Sequence, residues 1–150
     1  MARGSGKRMS APPLFWVHSA RAPEIPVLAT IPHSGTWIPL EFQSHFAPKF
    51  LKTLPNTDWH LNKLFSFLPS LGVTVLEATH LRYLIDLNRN LEGTLLGDFW
   101  TALVAKSGAR VDGFPSSLPT EAELHLRIER FHAPYHAELK RLLEHLALKR

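Results

Sequence analysis

From Leu124 onward apolar residues return at steps of four and three: Leu124, Ile128, Phe131, Tyr135, Leu139, Leu142 and Leu146. That period lines one face of an α-helix. Thr120 and Glu123 supply a T-x-x-E capping box at its start, and Pro134 is expected to bend it by withholding an amide hydrogen. Upstream the pattern changes. Residues 25–31, IPVLATI, and 73–79, VTVLEAT, are short apolar, β-branched runs that predict buried strands, the second opened by Gly72. Residues 82–90, RYLIDLNRN, alternate apolar with polar positions and predict a third strand. Between Pro39 and Pro55 prolines punctuate short helices or turns. Asn56 or Thr57 is placed to cap a helix from Asp58 to about Leu68, with Trp59, Leu61, Leu64, Phe65 and Leu68 on its buried side. Residues 90–119, rich in Gly, Pro and Ser, are the least regular. Strand, helix, strand and long helix together predict an α/β architecture, a mixed sheet flanked by helices.

Composition narrows the class more than the function. A chain of 150 residues, 45% hydrophobic and 20% charged, suits one domain with a real core. The formal charge is +4 and the pI about 9.7, but Arg3, Lys7 and Arg8 sit in an acid-free opening before Glu24. Residues 1–22 are expected to be a flexible tail, and without it the charge is close to neutral. Signs mix elsewhere, so no nucleic-acid partner is expected. No apolar run approaches membrane-spanning length, so no membrane partner is expected either. The absence of cysteine excludes disulfides and thiolate metal sites and fits a cytoplasmic location. Any metal here needs His and carboxylate ligands.

Candidate chemistry falls at a few places. His33, in PHSG, follows a predicted strand directly, and ligands gather at the carboxyl ends of strands in α/β sheets. Its imidazole is placed to bind a metal or simply to cap the turn, and Gly35 lets the backbone pass close to whatever is bound. Asp58, at a predicted helix start, is electrostatically favoured there whatever its function. His60 points elsewhere on that helix and is expected to be structural. Arg82 and Arg89 can each hold a carboxylate by two parallel hydrogen bonds, with Asn88 alongside. Equally, Asp86 can pair with Arg82 as a buried ion pair serving the fold. On the long helix His125, Glu129, His132 and His136 share a sector of about 60° at about 100° per residue. They are expected to border the apolar stripe as packing residues, His136 less clearly than the others.

Taken in order, IPHSGTWIP, NTDWHLNKLF, LGVTVLEATHLRYLIDLNRN and LRIERFHAPYHAEL resemble the N-formylglutamate amidohydrolase family. The resemblance runs from about Ile25 to Leu139. It implies a zinc exopeptidase-like fold of the phosphorylase/hydrolase type, similar to zinc carboxypeptidases and to aspartoacylase, which carries a related DLNR segment. It further implies a zinc-dependent hydrolase that removes a formyl group from a small acidic N-acyl amino acid. By resemblance, His33 and Asp58 correspond to metal ligands, and Arg82, Asn88 and Arg89 to substrate-binding positions. Residues 23–150 would then be the N-terminal part of a single amidohydrolase-like domain. Asn90 departs from the family, where proline commonly follows the NR pair. Family members continue past the position of Arg150, and that continuation supplies a further histidine ligand and the catalytic glutamate. The expectation is a fragment, a truncated gene product or a degenerate relative, acting on or merely binding acidic amino acids. Its helix stripe is expected to be partly open, favouring self-association or a separately encoded second half.

Overall fold

β3 (Thr74–Ala78) is the axis around which the other elements are arranged. In this computed structural model, which describes residues 11–106 and 117–149, β3 is flanked on one side by β1 (Phe15–His18), antiparallel, and on the other by β2 (Leu28–Ile31), parallel. The expected mixed sheet is therefore present, in the order β1-β3-β2. Residues 15–18 lie inside the stretch expected as a flexible tail, yet they pair along β3 as a strand. β2 is shorter than IPVLATI predicted. Pro26 cannot donate to a ladder, and a tight turn brings the Val27 amide onto the Ile25 carbonyl at 2.7 Å.

The register assigns two faces, since paired residues point the same way. Phe15, Val17, Leu28, Thr74, Leu76 and Ala78 face the main core. Ala29, Ile31 and Val75 face a smaller cluster with Leu61, Phe65 and Leu68. The main core is rich in rings. Phe42 of α1 (Leu40–Gln43) meets Phe131 edge-on at 5.9 Å, and Phe50 of α2 (Pro48–Thr53) meets Tyr83 at 5.1 Å. Such contacts exploit ring quadrupoles as well as apolar burial.

The expected helix from Asp58 to Leu68 is mostly absent. α3 covers only Leu61–Leu64, and a 3-10 turn follows at Leu68–Leu71. Leu54, Asn56 and His60 all adopt left-handed φ, at 41°, 59° and 65°, so the approach to α3 is a tightly folded loop that no helix can continue through. Trp59 and Leu64, expected inside, are 52% and 62% exposed.

RYLIDLNRN is not a strand. It is a series of turns, with Leu84 N–H on Leu81 O, Arg89 N–H on Asp86 O, and Asp86 N–H on Leu103 O. Tyr83 through Leu87 are all buried, which abolishes the two-sided pattern of a strand. The following stretch contributes β4 (Leu96–Gly97) and β5 (Val104–Ala105), a short parallel pair.

The C-terminal helix matches its pattern. α4 (Glu121–Arg127) opens with both capping-box bonds made, Glu123 N–H to Thr120 Oγ1 at 3.2 Å and Thr120 N–H to Glu123 Oε2 at 3.0 Å. A π turn, Ile128–His132, then leads into α5 (Ala133–Ala147), with Pro134 at its start. The interruption is thus a wide turn placed just before the proline. The stripe is not left open: Leu124, Phe131, Tyr135, Leu142 and Leu146 are buried, and Phe15 of β1 packs on Tyr135 at 6.1 Å. The inner face of the sheet and Phe42 of α1 cover it, leaving Ile128 and Leu139 half-buried.

Candidate functional site

β2 ends at Ile31, and the chain enters Pro32–Gly35 pressed against the end of β3. Gly35 is obligatory there: a Cβ would stand 2.4 Å from the His80 carbonyl oxygen and the Thr79 carbonyl carbon. Trp37 N–H then reaches Thr79 O at 3.0 Å, and Leu81 N–H reaches Trp37 O at 2.9 Å. These contacts fix the turn that carries His33.

His33 is 8% exposed and stands between two carboxylates. Its Nε2 meets Asp86 Oδ1 at 2.6 Å, and its Nδ1 lies 3.7 Å from Asp58 Oδ2. Burial raises the Asp86 pKa. The hydrogen bond from His33, the charges of His33 and Arg82, and the Asn88 amide outweigh this and hold it below the usual carboxylate range. An ionised carboxylate only accepts, so Nε2 carries the proton and donates. In neutral His33 the lone pair is then on Nδ1, facing Asp58. That gap is too long for a hydrogen bond. It is close to the spacing of about 3.4 Å expected for two donors each about 2.1 Å from one tetrahedral zinc. Asp58 is brought there by its backbone, whose N–H bonds His33 O at 3.0 Å. Its loop is held by Tyr83 O–H on Asn56 Oδ1 at 2.6 Å and Thr57 O–H on Leu54 O at 2.7 Å. Three non-glycine residues with positive φ in one short loop represent backbone strain of the sort that collects at functional sites.

The three residues of RYLIDLNRN expected to bind substrate, Arg82, Asn88 and Arg89, separate into two groups. Arg82 points inward, donating from Nη2 to Asp86 Oδ2 at 2.8 Å with its guanidinium 4.6 Å over the Phe99 ring. Arg82 therefore stands with Asp86 behind His33, as the ion-pair alternative had it. Asn88 is exposed, its N–H on Asp86 Oδ1 at 2.9 Å. Arg89 donates from Nη2 to Trp100 O at 2.7 Å, while its buried Nε has no partner among the described residues. Asn88, Arg89 and Asn90 line a cavity of about 320 Å3 with Thr30, Tyr135 and His136. A second cavity, of about 310 Å3, opens on the other sheet face beside His18 and Glu77 and contains none of these residues.

His60 and His125 are exposed and take no part. Among the described residues no third His, Asp or Glu joins His33 and Asp58 in a metal-sized cluster. What sequence reasoning missed is Asp86 as the group that orients His33; the two are 53 positions apart, and no local spacing links them. It also missed that His132 and His136 bond the Arg89 and Leu87 carbonyls, and that Arg127 is fully buried, donating to Leu84 O at 3.2 Å. Burial lowers the Arg127 pKa.

Comparison with known proteins supplies the remaining context. A family model described as N-formylglutamate amidohydrolase matches residues 25–149. N-formylglutamate deformylase of Pseudomonas putida is 28% identical over 134 residues, 81% of this chain and 46% of that protein. The enzyme of the same name from Pseudomonas aeruginosa is 34% identical over 73 residues, 49% of this chain and 27% of that protein. The crystal structure of N-formylglutamate amidohydrolase from Ralstonia eutropha superposes with a TM-score of 0.72 at 32% identity, covering 90% of this chain and 52% of that one. A gene product of Agrobacterium tumefaciens shares the fold alone, with a TM-score of 0.73 at 19% identity and coverage of 91% and 52%. The chain thus spans about half the length, or less, of these relatives. With its turn, loop and polar segment matched along residues 25–149, the chain belongs to the N-formylglutamate amidohydrolase family.

Proposed function

We propose that this chain carries the metal-binding and carboxylate-recognition part of a zinc-dependent hydrolase that removes the formyl group from N-formylglutamate or a close acyl amino acid. The observation that supports it most is the disposition of His33: Nε2 is engaged by Asp86, and Nδ1 faces Asp58 across 3.7 Å. His33 Nδ1 and Asp58 Oδ2 suit a divalent cation. A bound zinc would supply Lewis acidity toward the amide carbonyl and an acidified water. Asp86 fixes the His33 ring and its tautomer, the service that carboxylates commonly perform behind metal-bound histidines. Arg89 and Asn88, beside their cavity, present donors for a substrate carboxylate and so orient the amide. Arg82 contributes indirectly by holding Asp86.

A second reading, an acidic amino-acid binding module without turnover, draws on the lack of a third metal-binding side chain among the described residues. A catalytic zinc ordinarily takes three protein ligands. The two readings diverge in one experiment. Zinc and then N-formyl-L-glutamate are titrated into the chain, with heat and formate release followed together. Zinc binding lost in His33→Ala and Asp58→Ala, and ligand binding lost in Arg89→Lys, is the expected result. Formate release assigns hydrolysis to this chain, and binding without release assigns the recognition module. Failure to bind either component overturns both.

A further inference from the structure

The long C-terminal helix is broken by one wide turn, and the consequence of that turn is felt at Arg89. π turns are rare and recur at functional sites, because they re-aim the side chains around them. Here the turn ends at His132, whose ring stacks on that of His136 with centroids 4.0 Å apart and planes 24° from parallel. Both rings reach the same segment. His132 Nε2 meets Arg89 O at 2.8 Å, and His136 Nε2 meets Leu87 O at 3.0 Å. A carbonyl oxygen accepts only, so each ring donates from Nε2.

The two carbonyls bracket Asn88, which is exposed, while His132 is 4% exposed behind it. A single buried histidine bonded to a carbonyl is ordinary packing. Two stacked rings that hold alternate carbonyls of one short segment, with His136 and Arg89 lining the same cavity, are a more specific arrangement. The segment is gripped from its other side by Asp86, which takes the Asn88 N–H on its carboxylate and the Arg89 N–H on its backbone carbonyl.

We propose that His132 and His136 are positioning residues, a stacked imidazole clamp that fixes the Leu87–Arg89 backbone and thereby aims Asn88 and Arg89 at a ligand carboxylate. This rests on the carboxylate-recognition reading above. The clamp acts through the two carbonyls.

The test uses the whole chain with zinc and N-formyl-L-glutamate. His132→Phe and His136→Phe keep a ring but lose the donor, whereas His132→Gln and His136→Gln restore an N–H near the Nε2 position. Two quantities are read: amide hydrogen exchange across residues 86–90, and ligand affinity by calorimetry. The Phe variants should exchange faster there and bind about tenfold more weakly, the scale of one lost hydrogen bond. The Gln variants should recover both. Unchanged exchange in the Phe variants overturns the clamp. Faster exchange with undiminished affinity, while Arg89→Lys loses binding, overturns its role in recognition and leaves the carboxylate reading standing. If Arg89→Lys binds as well as the parent chain, the carboxylate reading itself fails and the inference falls with it. Should either Phe variant unfold, the matching Gln variant decides: weakened affinity in a folded Gln protein whose segment exchanges normally also overturns the clamp.

Discussion

Gly35 and Asp86 show how single side chains, or the lack of one, place the site. At Gly35 there is no room for a Cβ, because the Thr79–His80 backbone occupies that space at 2.4 Å. Gly35→Ala must push the PHSG turn off β3, and forced overpacking of this kind typically costs about 1–3 kcal/mol. The shift falls on the turn that carries His33, so zinc affinity should drop by more than the melting temperature alone would suggest. Calorimetric zinc titration beside a thermal melt checks this, and a variant that melts lower yet binds zinc normally would separate the turn from the site. Asp86 acts at the other side of the same ring. Asp86→Asn removes the charge that holds both His33 and Arg82, at 2.6 and 2.8 Å, and leaves the guanidinium without its counter-ion. Loss of a partner behind a metal-binding histidine commonly weakens metal affinity by about 10–100-fold, and that is the drop expected in the same titration. Zinc binding unchanged by Asp86→Asn would mean that His33 does not depend on this bond for its orientation.

Whole elements were legible where their signal is local and hidden where it is tertiary. α4 and α5 follow from a stripe of seven apolar positions that turns inward as the spacing requires and from an exposed capping box at its start. Thr120→Ala should therefore cost about 0.5–2 kcal/mol, the usual range for a lost N-cap, seen as a lower urea midpoint with unchanged slope. β3 was equally readable, being a β-branched run after Gly72. RYLIDLNRN was misleading because its alternation coexists with burial of every residue from Tyr83 to Leu87, under the π turn on one side and the 94–105 stretch on another. The Asp86 amide goes to Leu103 and the Leu87 carbonyl to His136, neither of which is near it in sequence. The loop from Leu54 to His60 was misread as a helix start for a similar reason. The loop is held by the Tyr83 hydroxyl on left-handed Asn56 and by the His33 carbonyl on the Asp58 amide, contacts that propensity does not contain. His33 was singled out by its place after a strand and Asp58 only by the family resemblance, and the 3.7 Å between them is made by that loop.

At the scale of the molecule, the segment before β2 and the end of α5 are tied by one carboxylate. Glu24, just before β2, takes Thr74 O–H at 2.5 Å, His145 Nε2 at 3.1 Å and the Lys149 ammonium. It thus joins the start of one sheet edge to the last turn of α5, with β3 between them. Hydrogen bonds from Lys149, Thr74 and His145 hold its pKa at about 2, below the ordinary 4.5. The sign follows from linkage: a carboxylate depressed on folding stabilises the native state above its unfolded pKa, and the gain is lost as pH falls through the folded value. The contribution of Glu24 should be fully present above pH 4.5 and fade toward pH 2. Because the cluster lies at the surface, salt should weaken it as well. Melting curves of the parent chain and Glu24→Gln, recorded across that window at low and high salt, isolate it from other acidic groups. The gap between the two proteins should be widest near neutral pH and low salt and should close on acidification. A gap that persists undiminished at pH 2 would show that the tie works through packing of these two segments rather than through the charge on Glu24.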